Sequence, residues 1–542
     1  MDQQKSEIPT EISQGFESKY TRRDAVRGAA ALGAAVSLGS LLAACGSSSG
    51  SSTSASPGAG SPGAGSPTKG GDLLVGVGGG SAKDTLDAQL SINEPDIARQ
   101  FELYESLLGR DLNYQIINLL AEEVTQSPDA RVWTVRLKDG LEFHDGKTVT
   151  ADDVIFSFKR ILNPANPKGG ATQLQGLRPS GLKKLDDRTV QFTLERPNAI
   201  FDSGLSYYQN TIIPIGYDVK KPIGTGSFKF TSWRPGLDSD FARFDNYWGQ
   251  VSYVDTLKTI EFPDETSRVN ALLSGDVHMI SNLPGVQIRT VQADPSLQVL
   301  NSPSGGWIPF TMRVDIPPFS DVRLRQAMRL IVNRPEMVKL ALNDQGVIGN
   351  DMYAPLDPVY ASDLPQRVQD IEQAKSLLKQ AGQSDFTVEL PTEVFDVGFA
   401  ESAQVIREQA KLAGVTINVR KLDAGTYWDG YLKFRFAQDW WYTRDYLPQC
   451  SAGTLPGAAY NETHWSDPEW TSLVKEAYQT ADLAKRKELC HAAQVIEYDR
   501  GGYIIWGFKN QVDAYSTTVQ GVYEDKSGIP LMSWHFNSVW LA

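Results

Sequence analysis

The chain has 542 residues, of which 41% are hydrophobic and 22% are charged, and its formal net charge is −13. This length exceeds a single compact core and predicts two or three lobes. Since an acidic chain without a basic stripe cannot neutralise phosphates, nucleic acid is excluded as a partner.

Residues 1–45 have the pattern of an export signal. The basic pair Arg22-Arg23 precedes an uncharged run from Gly28 to Ala44, which ends in small residues before Cys45. A charged region, a short apolar region and a small-residue cleavage site are typical of a signal peptide. The arginine pair resembles a twin-arginine export signal, and Leu-Ala-Ala-Cys resembles a lipobox, which implies lipidation of Cys45. The alternative is a chance cysteine after an alanine-rich helix.

Residues 46–71 form a Ser/Gly/Pro-rich tract, which predicts a flexible tether because it cannot bury a core. With Cys45 lipidated, Cys450 and Cys490 remain as an even pair in an oxidising compartment. A disulfide between them is one alternative, which would contribute up to about 4 kcal/mol on the chain-entropy model. Two buried free thiols are the other.

Short strands alternate with helices in the rest of the chain, which predicts mixed α/β lobes. Strands are expected at 72–77, 132–137 and 415–419, with a return strand at 141–143 after the turn Asp139-Gly140. Thr150 and Asp153 predict a capped helix start. Helices are also expected at 97–108, 322–332, 371–381 and 402–412.

Catalytic and metal-binding patterns are missing from the sequence. The five histidines are scattered, with no spacing typical of a metal site. No P-loop and no credible Ser/His/Asp arrangement is found, and the pair Asp152-Asp153 is explained by its place at a helix start. We therefore expect no enzyme activity, no metal and no cofactor.

A series of segments, in order along the chain, resembles the extracytoplasmic solute-binding proteins of ABC importers, in the large peptide/nickel-binding class. They include 69–75, 137–146 with 150–154, 224–230, 246–249, 273–278, 318–327 and 374–382.

The resemblance implies a periplasmic-binding-protein-like α/β fold, in which a hinge joins two mixed lobes and a further subdomain is inserted. The first lobe would comprise residues 72–120, 206–308 and 511–542. The subdomain would comprise residues 121–205 and the second lobe residues 309–510. The implied protein is a monomer, lipid-anchored outside the cytoplasm, that delivers a small molecule or peptide to an ABC permease and its ATPase.

The segment 438–448, rich in aromatic residues, contains the main candidate site residue. In peptide-binding members, an aspartate in such a segment pairs with the α-ammonium of the ligand, and Asp445 is the residue that matches. A desolvated ammonium needs a charge-assisted acceptor. The alternative is a structural ion pair of Asp445 with Arg444 or another base.

Aromatic and polar neighbours complete the predicted site. Trp441 and Tyr442 are expected to wall the cleft, with Trp440 in the core because a strand alternates its faces. Trp428 lies near a tryptophan that lines the pocket in some family members, and Asn461 and His464 are further candidates. The expected mechanism is capture by closure of the lobes. An opine, a sugar, a nickel chelate or another amine remain alternative ligands, and a hydrolase built on the same lobes is an alternative function.

Overall fold

The fold is that of a computed structural model, which describes residues 66–393 and 398–542. The predicted export signal, Cys45 and residues 46–65 of the predicted tether lie outside the described residues. No helix in the described ranges is both long enough and apolar enough to cross a membrane.

An eight-stranded mixed sheet organises the first lobe. In spatial order, seven strands form its main path: Leu297–Trp307, Gly507–Ser516, Met279–Ile280, Asp72–Gly78, Thr256–Phe262, Asp238–Arg243 and Phe228–Arg234. The eighth strand, Gly346–Ile348, pairs with Gly507–Ser516. The strand Asp72–Gly78 is central and parallel to both of its neighbours, which explains why its side chains are mostly apolar.

Both faces of this sheet are covered. The helices Glu265–Ser274 and Ile288–Ala293 contribute to the core on one face, and the helix Glu94–Leu103 and the C-terminal residues 519–541 contribute to the core on the other. The first of the predicted helices was placed too late, at 97–108. It begins at Glu94 because Asn93 caps it, and it ends at Leu103 because the backbone is extended at Tyr104.

The subdomain has a four-stranded antiparallel sheet and its own core. Its strands, in spatial order, are Ala121–Gln126, Val132–Leu137, Thr189–Leu194 and Leu177–Asp186. The helix Ala151–Ile161 packs on it and begins with the predicted capping box of Thr150 and Asp153. The return strand expected at 141–143 is wrong, since Val132–Leu137 pairs instead with Thr189–Leu194.

The second lobe contains two small sheets and most of the helices of the described residues. The strands Phe436–Gln438, Phe310–Met312 and Tyr503–Ile504 form one sheet, and Thr387–Thr392 and Thr416–Lys421 form the other. Its helices are Val322–Ile331, Arg334–Ala341, Ile371–Gln380, Phe399–Lys411, Ala424–Gly430, Tyr446–Gln449, Pro468–Gln479 and Leu483–Arg500. The helices expected at 322–332, 371–381 and 402–412 are confirmed to within a few residues at each end.

The chain passes between the lobes at two neighbouring places. The strand Leu297–Trp307 of the first lobe leads into Phe310–Met312, and Tyr503–Ile504 of the second lobe leads back into Gly507–Ser516. Paired crossings of this kind are suited to a hinge. The predicted mixed α/β fold is confirmed. The domain boundaries stay predictions, and the one between 510 and 511 falls inside the strand Gly507–Ser516.

Candidate functional site

The candidate site segment, residues 439–449, begins where a strand of the second lobe ends. The strand Phe436–Gln438 stops, and an antiparallel bridge then joins Trp441 to Trp307 with N–O distances of 3.0 and 2.9 Å. Trp307 is the last residue of the strand that leads into the crossing between the lobes. The segment is therefore fixed beside the crossing before it enters the short helix Tyr446–Gln449.

Asp445 forms an ion pair with Arg110, 335 residues away in sequence. Arg110 Nη2 lies 2.6 Å from Asp445 Oδ2, and Nη1 lies 3.3 Å from Oδ1. The two side chains are only 16% and 14% exposed, so their charges are largely removed from water. Asp445 thus forms an ion pair with another base, as in the alternative interpretation, and that base is Arg110 of the hairpin Leu108–Arg110/Ile116–Asn118 rather than Arg444.

The same hairpin makes further contacts with the second lobe. Tyr114 Oη donates to the carbonyl oxygen of Thr443 at 2.9 Å, and Gln115 Nε2 donates to that of Leu356 at 2.9 Å. The subdomain also touches the second lobe, since the backbone N–H of Ala199 donates to the Tyr478 carbonyl at 2.7 Å. The two sides of the molecule are in contact, as they would be in a closed form.

A second carboxyl group lies close to the pair. Asp357 accepts hydrogen bonds from the backbone N–H groups of Val359 at 3.0 Å and Tyr446 at 2.7 Å. Burial, followed by the negative charge of Asp445, raises the pKa of Asp357 to about 6. Its oxygens are held by the backbone, which makes Asp357 a support for the first turn of the helix Tyr446–Gln449.

The structure distributes the aromatic residues differently from the expectation. Trp441 is only 2% exposed, and its ring stacks on Trp307 with centroids 6.1 Å apart. Trp440 is half-buried against a core of the second lobe, and its ring meets the edge of Tyr442. Tyr442 is 57% exposed. Tyr442 therefore offers the more accessible surface in this closed arrangement, and Trp441 lies behind it.

Trp428, Asn461 and His464 lie in separate surroundings. Trp428 is 7% exposed and packs on Phe399 and Tyr431 in the core of the second lobe against which Trp440 also packs. The Asn461 amide closes its own loop, with bonds that include one to the Trp465 carbonyl at 3.0 Å. His464 bonds to the Leu432 carbonyl at 2.9 Å. None of these contacts joins them to Asp445, and their role in binding stays a prediction.

Cys450 and Cys490 are buried free thiols, so the disulfide alternative is not what the structure has. Both belong to the core that also contains Trp441, and the thiol of Cys450 lies 3.1 Å from Tyr353 Oη. Burial raises the pKa of both thiols, that of Cys490 to about 12. Two protonated thiols in an apolar core are poorly reactive.

Sequence reasoning missed Arg110 and Tyr114 at this contact, and it gave Arg444 a different role. Arg110 and Tyr114 follow the predicted helix in a stretch with no motif, and their partners are more than three hundred residues away. Arg444 was considered only as a partner of Asp445, and it lies instead with its guanidinium carbon 5.5 Å from the Trp441 ring centroid. Within the described ranges, no group of three or more His, Cys, Asp or Glu side chains is arranged to hold a metal ion.

Comparisons with known proteins agree with this architecture. Residues 115–461 match the family model described as bacterial extracellular solute-binding proteins, family 5 middle. The dipeptide-binding protein of Escherichia coli (strain K12) is 28% identical over 464 residues, which cover 78% of this chain and 86% of that protein.

Solved structures share the fold. An ABC transporter substrate-binding protein from Listeria monocytogenes matches with a TM-score of 0.78 at 22% identity, covering 88% of this chain and 100% of that one. A periplasmic binding protein from Helicobacter pylori, in complex with the peptide STSA, matches with a TM-score of 0.69 at 22% identity, covering 88% of this chain and 98% of that one.

Proposed function

Because the chain belongs to family 5 of the bacterial extracellular solute-binding proteins, we propose that it captures a peptide between its lobes and delivers it to an ABC importer. The observation that carries the proposal is the family match, which extends through the segment 439–449 where the two sides meet. A relative named for dipeptide binding supports a peptide as the ligand. The partners are then a membrane permease and its ATPase.

Capture works by closure around the crossings between the lobes. In an open form, the hairpin carrying Arg110 and Tyr114 separates from the segment carrying Thr443 and Asp445, and water and ligand enter. Closure brings back the contacts described above and excludes bulk water, which strengthens each polar contact with the ligand. The permease then recognises the closed form.

Asp445 remains the proposed acceptor for the α-ammonium of the peptide. A carboxylate has about four lone-pair positions; Arg110 uses two of them and Ser203 Oγ, 3.4 Å from Oδ2, uses a third, so an ammonium can be added without displacing the arginine. Tyr442 provides exposed aromatic surface beside it. Trp441 is then a buried support for this segment and does not contact the ligand directly. Trp428, Asn461 and His464 are retained as weaker candidates for ligand contact.

A ligand panel tests the proposed function. The melting temperature of the purified protein without residues 1–45 is measured in the presence of tripeptides, sugars and metal chelates. Any bound peptide is recovered and its mass is determined by mass spectrometry. We expect tripeptides to raise the melting temperature and to be recovered intact. A shift with sugars alone would defeat the peptide as ligand, and recovery of cleaved peptides would favour the hydrolase alternative.

We also propose that Cys45 is lipidated and that residues 46–71 connect this anchor to the first lobe, which leaves the monomer free to turn at the membrane surface. The basis is the lipobox-like sequence before Cys45 and the composition of the tract after it. In cells fed a fatty-acid analogue, the wild-type protein should be labelled and Cys45→Ser should not. Equal labelling of both would remove Cys45 as the anchor.

A further inference from the structure

Arg444 is a charged residue of the segment 439–449. Its guanidinium N–H groups have no acceptor among the described residues. It is half-buried, and within the described ranges it has neither an ion pair nor a hydrogen bond. The neighbouring acids are occupied, since Asp445 holds Arg110 and Asp357 holds the backbone N–H groups of Val359 and Tyr446. A guanidinium with five N–H donors is rarely left without an acceptor when it is partly desolvated.

The backbone on both sides of Arg444 is fixed. The Thr443 carbonyl accepts from Tyr114 Oη at 2.9 Å, and Thr443 Oγ1 accepts from the Gly305 N–H at 3.0 Å. On the other side, Asp445 is held by Arg110, and the Tyr446 N–H is held by Asp357 at 2.7 Å. The base of the Arg444 side chain therefore has one position in the closed form, which lowers the entropy cost of binding a partner.

The surroundings of the guanidinium suit an anionic ligand group. Its central carbon lies 5.5 Å from the Trp441 ring centroid, a contact that orients it and leaves its N–H edge available. Burial raises the pKa of the Tyr114 and Tyr208 hydroxyls, and the charge of Arg444 partly offsets this, so both phenols lie within electrostatic range. Tyr114 belongs to the hairpin on the opposite side of the contact and binds the carbonyl of the adjacent Thr443, so Arg444 lies at the boundary between the two sides.

We propose that Arg444 binds an anionic oxygen group of the captured ligand, a carboxylate in the case of a peptide, so that the site selects acids over their amides. This inference deepens the proposed function and rests on it, because it assigns a second charged contact within the same cleft. The fork of the guanidinium matches the two oxygens of a carboxylate.

Matched tripeptides test the contact. Ala-Glu-Ala and Ala-Gln-Ala, each as the free acid and as the C-terminal amide, and inorganic phosphate are titrated into the wild type by calorimetry. A charge-assisted contact makes one of the acid forms bind about 10- to 100-fold more tightly than its amide. A difference between the Glu and Gln peptides identifies the side-chain carboxylate, and a difference between the free acids and the C-terminal amides identifies the C-terminal carboxylate. Arg444-dependent competition by phosphate indicates a phosphoryl group instead.

Variants assign the selectivity to its residue. Arg444→Gln should bring the acid to the affinity of the amide and leave the amide unchanged, whereas Arg444→Lys should keep part of the preference because it keeps the charge without the fork. Arg289→Gln, the same change at an exposed arginine on the helix Ile288–Ala293, is the control and should behave as the wild type. An acid-to-amide ratio that is the same in wild type and Arg444→Gln overturns the inference.

The ligand that co-purifies separates this inference from the peptide proposal. Native mass spectrometry of wild type and Arg444→Gln identifies what each retains. An anionic ligand that is no peptide, and that Arg444→Gln loses, would refute the peptide proposal and support Arg444 as the anion contact. Peptides that bind equally as acids and amides, or a retained ligand without an anionic group, would refute the role of Arg444 and leave the peptide proposal standing.

Discussion

At the scale of single residues, the ion pair of Arg110 with Asp445 connects the two sides of the molecule. Both side chains are at least 84% buried, so each charge depends on the other. Breaking a buried pair by removing one member is costly, because the remaining charge has no partner. The pair is present only when the hairpin Leu108–Arg110/Ile116–Asn118 meets the segment 439–449, so it stabilises the closed form over the open one.

A double-mutant cycle measures this coupling. Arg110→Gln and Asp445→Asn should each weaken tripeptide binding about 10-fold or more, because each leaves a charge uncompensated in the closed form. The double variant should recover part of the loss, with a coupling energy of about 1–2 kcal/mol. Calorimetric titration of the four proteins with Ala-Glu-Ala provides the numbers.

Strict additivity in that cycle would contradict a role of the ion pair in closure. Asp445→Ala adds a further comparison, since it removes the proposed ammonium acceptor as well as the charge. An unchanged affinity of Asp445→Ala for peptides would remove Asp445 from the site.

The sequence could not reveal the contact of Arg110 with Asp445, because no local pattern encodes a contact between residues 335 positions apart. Asp445 itself was found through resemblance, and its partner was not. Trp441 was expected in the cleft from strand alternation, but the strand ends at Gln438, so alternation no longer decides which side chain faces outward.

At the scale of elements, the helix Leu483–Arg500 carries a carboxyl group into the core behind the site. Glu497 is 5% exposed, and its Oε1 accepts from Tyr353 Oη at 2.7 Å. Burial raises the pKa of Glu497 to about 8. Tyr353 stacks on Trp307, the residue behind Trp441, so this helix supports the site from inside the second lobe.

The raised pKa of Glu497 makes stability depend on pH. In the unfolded chain Glu497 is ionised at neutral pH, whereas in the folded protein it holds its proton, so the folded state binds more protons and loses stability as pH rises. Between pH 6.5 and 8, this residue should lower the free energy of unfolding by about 1–2 kcal/mol. Urea titrations at several pH values give the free energy of unfolding as a function of pH. Glu497→Gln should remove this contribution to its slope.

The range begins at the ordinary histidine pKa of 6.5, because the buried His144, with a pKa lowered to about 4, has the opposite effect on stability mainly below that pH. Parallel slopes for wild type and Glu497→Gln would mean that Glu497 is ionised in the folded protein. Glu488→Gln, the same change at an exposed position of the same helix, is the control and should keep the wild-type slope.

Elements with complete local signals were predictable from the sequence. The helix Ala151–Ile161 has its capping box at the start and an apolar face, and it forms where expected. The return strand at 141–143 failed although the turn signal was present, because the preceding strand found better partners in Ala121–Gln126 and Thr189–Leu194. Pairing between distant strands is decided by the sheet as a whole, and a local turn carries no information about it.

At the scale of the whole molecule, two lobes are connected by paired crossings and meet at contacts that include the Arg110–Asp445 ion pair. The contact between the sides includes hydrogen bonds, the ion pair and the side chain of Ile200, which packs from the subdomain against the core that contains Trp441. When the lobes open, water solvates both members of each polar contact, so opening costs less than removing one member of the ion pair, and the contacts can be remade around a ligand. A ligand that binds across them therefore shifts the molecule toward the closed form.

Hydrogen–deuterium exchange of the wild-type protein, with and without a tripeptide that raises its melting temperature, tests this capture most directly. We expect slower exchange on both sides of the contact, in the hairpin at residues 108–118 and in the segment 439–449. The helix Ile288–Ala293, which packs on one face of the first-lobe sheet, should exchange as before. Protection confined to one side, or absent from both segments, would contradict capture between the lobes.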